Sequence, residues 1–142
     1  MAKSKKQELV IYTNPTCPYC KQIKAELEKE EIKFIEKSTP DCLDEWNNIV
    51  ELTNLPTVPT LVLDNNYFIP GRDFTNPQHL IGKIKDYKPV KVDNERKVLE
   101  RLKTFNFQVS TAFNRIQSLL NNIDIKLSVL DKREEDEHKS TN

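Results

Sequence analysis

Residues 8–20 read Glu8-Leu9-Val10-Ile11-Tyr12-Thr13-Asn14-Pro15-Thr16-Cys17-Pro18-Tyr19-Cys20, and this stretch decides the fold. Its first half, residues 8–13, is a continuous β-branched and aliphatic run, as expected of a strand buried on both faces. Asn14-Pro15 ends the run. Thr16 is then expected to cap a helix that opens at Pro18, because proline fits a first turn where its missing N–H had no partner anyway. Ile23 and Leu27 lie four apart among lysines and glutamates, so residues 21–30 continue as an amphipathic helix. Two cysteines thus stand where a buried strand hands over to a helix.

Working outward, residues 32–36 are expected to form a second strand, and residues 41–53 a second helix with Leu43, Trp46, Ile49, Val50 and Leu52 on its apolar side. Pro56 and Pro59 bracket a break before a strand at residues 60–63. Asp64-Asn65-Asn66 is hairpin-turn chemistry, tolerant of positive φ, and residues 67–69 return as the antiparallel partner. Gly71 and Asp73 or Thr75 are expected to open a third helix, with Leu80, Ile81 and Ile84 at helical spacing, up to about residue 88. The order β-α-β-α-β-β-α over residues 8–89 gives an α/β domain with a mixed sheet and helices on both faces.

After Pro89 the pattern changes. From residue 93 to about 133, Val98, Leu102, Phe105, Val109, Ala112, Ile116, Leu119, Ile123 and Leu130 recur at alternating four- and three-residue steps, a heptad register with one lapse at Lys126. Leu99, Phe113, Leu120 and Leu127 widen the stripe. A long C-terminal helix is expected, of coiled-coil type, self-associating through residues 98–130, with docking on a larger partner or on the first domain as the alternatives. Residues 134–142 are charged and expected to be disordered.

Composition narrows the function. The 22 basic and 22 acidic residues cancel, so bulk charge suggests no nucleic-acid or acidic-membrane partner. No window approaches the ~18 apolar residues that a membrane-spanning helix needs. Residues 1–7 are expected to be a disordered terminus, since the basic opening lacks the apolar core of a secretory signal. Three cysteines without such a signal favour a reducing, cytoplasmic compartment, where thiols are kept for chemistry. The two glycines leave no phosphate-cradling loop. His79 and His138 are far apart and no second Cys-x-x-Cys exists, so no metal site is expected.

Disulfide exchange needs a thiolate that attacks and a second thiol that releases the mixed disulfide. A helix N-terminus favours the anion through its unpaired N–H groups and dipole, and thiols in Cys-x-x-Cys motifs span pKa values from roughly 3.5 to 7.5. Cys17 is thus expected to attack and Cys20, one turn on, to resolve. Tyr19 is a candidate substrate contact. Cys42 and Trp46 read as packing residues, and His79 as a solvated or capping histidine.

Cys17-Pro18-Tyr19-Cys20, Thr57-Val58-Pro59 and Gly71-Arg72-Asp73, at these spacings, closely resemble the glutaredoxins. The resemblance covers residues 8–88 and implies a thioredoxin-like fold. It implies a cis Val58–Pro59 bond facing the cysteines, with the Val58 backbone aligning a substrate. It implies glutathione along Val58 and Pro59, its γ-glutamyl end near Gly71 and Asp73, and no tightly bound cofactor, with glutathione as electron donor. Partners would be glutathione and disulfide-containing proteins. Glutaredoxins usually carry lysine where this chain has Asn14, Gly-Gly where it has Pro70-Gly71, and a polar residue at Phe74. The rival function is a non-catalytic thioredoxin-like recognition module on a coiled-coil scaffold.

Overall fold

The computed structural model describes residues 7–89 and 95–141. Strand β1 (Leu9–Thr13) pairs in parallel with β2 (Ile35–Ser38) and antiparallel with β3 (Thr60–Leu63), which pairs antiparallel with β4 (Asn66–Phe68). The order across the sheet is therefore β2-β1-β3-β4. Helices α1 (Pro18–Lys29), α2 (Leu43–Thr53) and α3 (Pro77–Lys85) follow the expected alternation, and α4 (Arg96–Ser140) is the long C-terminal helix. This mixed four-stranded sheet with its helices is thioredoxin-like.

The core forms where β1 and β3 meet α1 and α3. Ile11, Ile23, Leu27 and Leu61 are fully buried, and Leu9, Leu63, Phe68, Leu80 and Ile81 close around them. Burial of each large aliphatic or aromatic side chain contributes roughly 1.5–3 kcal/mol. β1 is buried along nearly its whole length, as its unbroken apolar run requires. It thereby fixes the place where the chain must leave the sheet and turn into α1.

Two element starts and one buried face depart from expectation. β2 begins at Ile35 rather than residue 32, because α1 ends in a turn that uses the intervening residues. Glu31 adopts φ 57° and the Ile32 N–H donates to the Leu27 carbonyl at 2.9 Å, so Ile32 closes the helix. In α2 Leu43 is exposed, and the buried side is carried by Ile49 and Thr53. α3 opens neither at Gly71 nor at Asp73 or Thr75. Its cap is Asn76, whose Oδ1 accepts from the His79 N–H at 2.8 Å, and Pro77 takes the first turn.

Two compact units divide the chain, the first running to Thr104 and the second covering residues 105–142. The first unit takes in the opening turns of α4, beyond the boundary expected at Pro89. The expected start of the tail at residue 93 and the N-terminal residues 1–6 lie outside the described residues. α4 continues to Ser140, through the stretch expected to be disordered from residue 134. The reason is propensity: Glu, Lys and Arg are good helix formers, and neither Pro nor Gly interrupts the run. In the second unit the apolar stripe is open, with Val109, Phe113, Ile116, Leu119, Leu120, Ile123, Leu127 and Leu130 all exposed. No helix among the described residues is long and apolar enough to cross a membrane.

Candidate active site at the start of α1

The turn after β1 is built by Asn14. Its side-chain Oδ1 accepts from the Thr16 N–H at 3.1 Å and from the Thr16 hydroxyl at 2.9 Å, while its carbonyl accepts from the Cys17 N–H at 3.0 Å. This Asx turn reverses the chain in two residues and delivers Cys17 to the helix end. Thr16 is spent in that turn. The N-cap expected of it falls instead to Cys17, whose backbone is extended and whose Sγ accepts from the Cys20 N–H at 3.1 Å.

Cys17 and Cys20 are joined as a disulfide, with their Cα atoms 5.3 Å apart, one helical turn. The two sulfurs differ in access. Cys17 is part-exposed, whereas Cys20 is 1% exposed and faces the core. A thiolate on Cys17 after reduction would sit at the α1 N-terminus, where the Cys20 N–H and the helix dipole favour negative charge. No acidic residue in the first turn opposes it. Tyr19 packs against the core cluster, and burial pushes its phenol up from the ordinary value.

Across from the cysteines, Val58–Pro59 is cis, as the resemblance implied. The Val58 carbonyl oxygen stands 3.9 Å from Cys17 Sγ. Pro59 is buried and precedes Thr60, the first residue of β3 paired to β1, so the Val58 peptide lies just beyond the ladder. The Thr60 hydroxyl donates to the Thr57 carbonyl at 2.7 Å and pins this corner. Cys17, Cys20, Val58 and Pro59 are thus brought together.

Gly71 and Asp73 form a separate, tightly hydrogen-bonded loop. Gly71 adopts φ 81°, a conformation glycine accepts freely, and its N–H donates to the Phe74 carbonyl at 2.8 Å. The Asp73 carboxylate is already engaged, accepting from the Ile69 N–H at 2.8 Å and from Arg72 Nε at 2.7 Å. Phe74 is 1% exposed and fills the core, so a polar residue there would be buried without water.

Sequence reasoning missed the role of Arg72. Its side chain is 1% exposed, and Nη2 lies 2.7 Å from Glu100 Oε2, itself 1% exposed, as an ion contact rather than an aligned hydrogen bond. Nη2 also donates to the Tyr67 carbonyl at 3.2 Å, and Nη1 to the Glu100 carbonyl and Thr104 hydroxyl, each at 3.3 Å. The Thr104 hydroxyl donates to the Thr53 carbonyl at the end of α2. Arg96 stacks on the Tyr67 ring at 5.4 Å. These contacts fasten the first turns of α4 to β4 and α2. The α4 residues stand 28 or more residues from their partners in the domain, and no spacing rule links them.

Cys42 and Trp46 sit in packing and hydrogen-bond contacts, and His79 in a helix cap. Cys42 donates its thiol to the Ser38 carbonyl at 3.1 Å, and burial followed by the Glu45 charge pushes that thiol up. Trp46 stacks beside Tyr12 at 5.9 Å, and Tyr12 donates to Glu45. His79 Nδ1 accepts from the Thr75 N–H at 3.3 Å within the α3 cap. Among the described residues no group of three or more His, Cys, Asp or Glu side chains is arranged to hold a metal ion.

A glutaredoxin family model matches residues 9–68, which includes both cysteines and the cis proline. A glutaredoxin-like 8.6 kDa protein encoded in the rubredoxin operon of Clostridium pasteurianum is 32% identical over 59 residues, spanning 42% of this chain and 79% of that protein. Among solved structures, the glutaredoxin grx-1 of Archaeoglobus fulgidus aligns with a TM-score of 0.47 and 19% identity, over 57% of this chain and 89% of that one.

Proposed function

Because the chain belongs to the glutaredoxin family, we propose that it is a dithiol thiol–disulfide oxidoreductase that reduces protein disulfides or glutathione-mixed disulfides through Cys17 and Cys20. Cys17 thiolate attacks one sulfur of the substrate disulfide, forming a mixed disulfide and releasing the other half as thiolate. Cys20 thiolate then attacks the Cys17 sulfur, closing the 17–20 disulfide and releasing the second half. Two glutathione thiols reduce that disulfide and leave as glutathione disulfide, so two electrons pass from glutathione to substrate.

The carrying observation is the difference between the two sulfurs: an accessible Cys17 capping α1, bonded to a Cys20 buried in the core. Attack from outside can reach only the first. Burial of the second favours the order in which resolution is intramolecular. Val58 and Pro59 would align a substrate backbone, its polar groups meeting the Val58 peptide beside Cys17. Tyr19 would flank the mixed disulfide, and Gly71 and Asp73 would border the far end of a bound glutathione. No tightly held cofactor is required, and a reducing cytoplasm is the compartment in which this dithiol would cycle. The stripe of residues 98–130 would carry self-association.

Reduction of insulin disulfides and of a glutathione-mixed disulfide by the full chain, Cys17→Ser and Cys20→Ser tests the assignment. Cys17→Ser is expected to abolish both. Cys20→Ser is expected to lose insulin reduction and to accumulate mixed disulfide on Cys17. Wild-type turnover no faster than that of Cys17→Ser removes the enzyme and leaves a thioredoxin-like recognition module.

A further inference from the structure

Twelve exposed apolar side chains of α4, from Val98 to Leu130, fall on three positions of a single heptad frame. Three of them, Val98, Leu99 and Leu102, belong to the first unit. It grips the opposite side of the helix through Glu100 and Thr104, leaving Val98, Leu99 and Leu102 outward and 51–69% exposed. At roughly 80–100 Å² each, twelve half-exposed side chains offer on the order of 1,000 Å² per chain. A standard stable interface takes ~800 Å² from each partner.

We propose that this stripe pairs with the α4 of a second copy, and that the two helices run antiparallel. The proposal rests on the self-association inferred above and adds its direction. Charge supplies the direction. Residues 96–103 carry Arg96, Lys97, Arg101 and Lys103 against Glu100, whereas residues 131–139 carry Asp131 and the four consecutive acids 134–137 against Lys132, Arg133 and Lys139. Between them, residues 104–130 hold only Arg115, Asp124 and Lys126. A parallel pair sets each charged end against its own like and stacks Lys126 on Lys126 in the seam. An antiparallel pair with Phe105 level with Leu130 brings residues 132–139 of one copy, with four acids and three bases, alongside residues 96–103 of the other, with four bases and one acid, Arg101 standing level with Glu134.

The same acids oppose the dipole at the C-terminal end of their own helix, and the neighbouring N-terminal end of the second helix offsets that. In that register Lys126 faces Val109. A lipid surface fits less well, because interfacial helices gather Lys and Arg on the polar face, and over residues 104–130 that face is mainly Asn, Gln, Ser and Thr, with Arg115. Over Phe105–Leu130 the paired helices would hold their residue-105 ends roughly 40 Å apart.

The test uses full-length chains in a Cys17→Ser/Cys20→Ser/Cys42→Ser background, one bearing Phe105→Cys and the other Leu130→Cys, mixed and treated with a short bis-maleimide. The 105–130 heterodimer is expected to dominate, with little product from either chain alone. Like-with-like products in both single-chain controls overturn the antiparallel arrangement and leave self-association standing. Wild-type chain sedimenting as a monomer at tens of micromolar overturns both, whether or not it then floats with neutral phospholipid vesicles. The wild-type chain gives an independent readout free of folding artefacts. Antiparallel pairing weakens severalfold as salt is raised, whereas pairing that strengthens with salt places like charges together and refutes the proposal.

Discussion

Replacing Glu100 by glutamine keeps the shape of the side chain and removes the charge that faces Arg72. Both side chains are 1% exposed, so the guanidinium cannot turn to water for compensation. Removing one partner of a buried ion pair costs ~3–5 kcal/mol, because the other charge is left stranded. Here Asp73 remains 2.7 Å from Arg72 Nε, so the cost falls to about 2 kcal/mol. Arg72→Met is more severe, at ~3–5 kcal/mol, because Glu100 then keeps only Lys103 at 3.2 Å and the Tyr67 carbonyl loses a donor. In Arg72→Met/Glu100→Met the Glu100 charge is gone and Asp73 keeps the Ile69 N–H, so the loss should be smaller than for Arg72→Met alone. For a unit of this size 1 kcal/mol moves the midpoint by about 4 °C, so Glu100→Gln should melt about 8 °C lower. The single tryptophan reports it well: Trp46 lies on α2, the helix whose last carbonyl accepts from Thr104. Urea and thermal unfolding followed by its fluorescence measure the first unit without the signal of the long helix. A Glu100→Gln midpoint within ~0.5 kcal/mol of wild type, or strictly additive losses in the double variant, refutes a buried pair that fastens α4 to the domain.

Gly71→Ala should cost about 1–2 kcal/mol in the same unfolding experiment, because φ 81° forces a Cβ against the following carbonyl, and an unchanged midpoint would contradict that backbone. In fully reduced protein at neutral pH, iodoacetamide should label Cys17 well before Cys42, whose thiol is pushed up by burial and by Glu45, with mass spectrometry of the peptides giving the order. Equal labelling rates would count against a thiolate at the α1 terminus. Glu36 is held below the usual carboxylate range by Lys24 and Thr13, and Glu45 by Lys37 and Tyr12. The folded state therefore binds fewer protons, so their contribution is present above the unfolded carboxylate pKa of about 4.3 and is lost as pH falls through the lowered folded values. Glu36→Gln/Glu45→Gln should accordingly flatten the loss of stability between roughly pH 5 and 3, and an acid limb of unchanged slope would rule those pairs out.

What the sequence made legible follows the strength of local signals. β1 and β3 are unbroken apolar runs ended by turn residues, and both appear within a residue of where the pattern puts them. The cysteine pair at the start of α1 follows directly, since a buried strand, an Asx turn and a proline leave the helix little choice of origin. β2 was less legible, because Ile32 and Phe34 satisfy a strand pattern while packing at the core edge as the close of α1. The start of α3 was obscured by a loop rich in residues that could each cap a helix. Gly71, Asp73 and Thr75 all qualify by type, but the Asp73 carboxylate had already been taken by the Ile69 N–H. Competition between equally good local partners is settled by tertiary contacts, which no window of sequence contains.

The junction between domain and tail carries the least local signal and decides the most. A helix with an apolar stripe invites the inference that the stripe is what docks. α4 does the reverse over its first turns, burying Arg72, Glu100 and Thr104 instead. A hydrophobic seat would bind any of several helical registers with similar energy, since apolar contact is non-directional. A guanidinium held by two carboxylates and two carbonyls accepts one register only, because every alternative strands a buried charge. The ion pair need not add net stability to do this. It fixes the rotation of the first turns of α4 about their axis, and that rotation turns Val98, Leu99 and Leu102 outward. The polar seat is therefore the condition for the exposure of that apolar side.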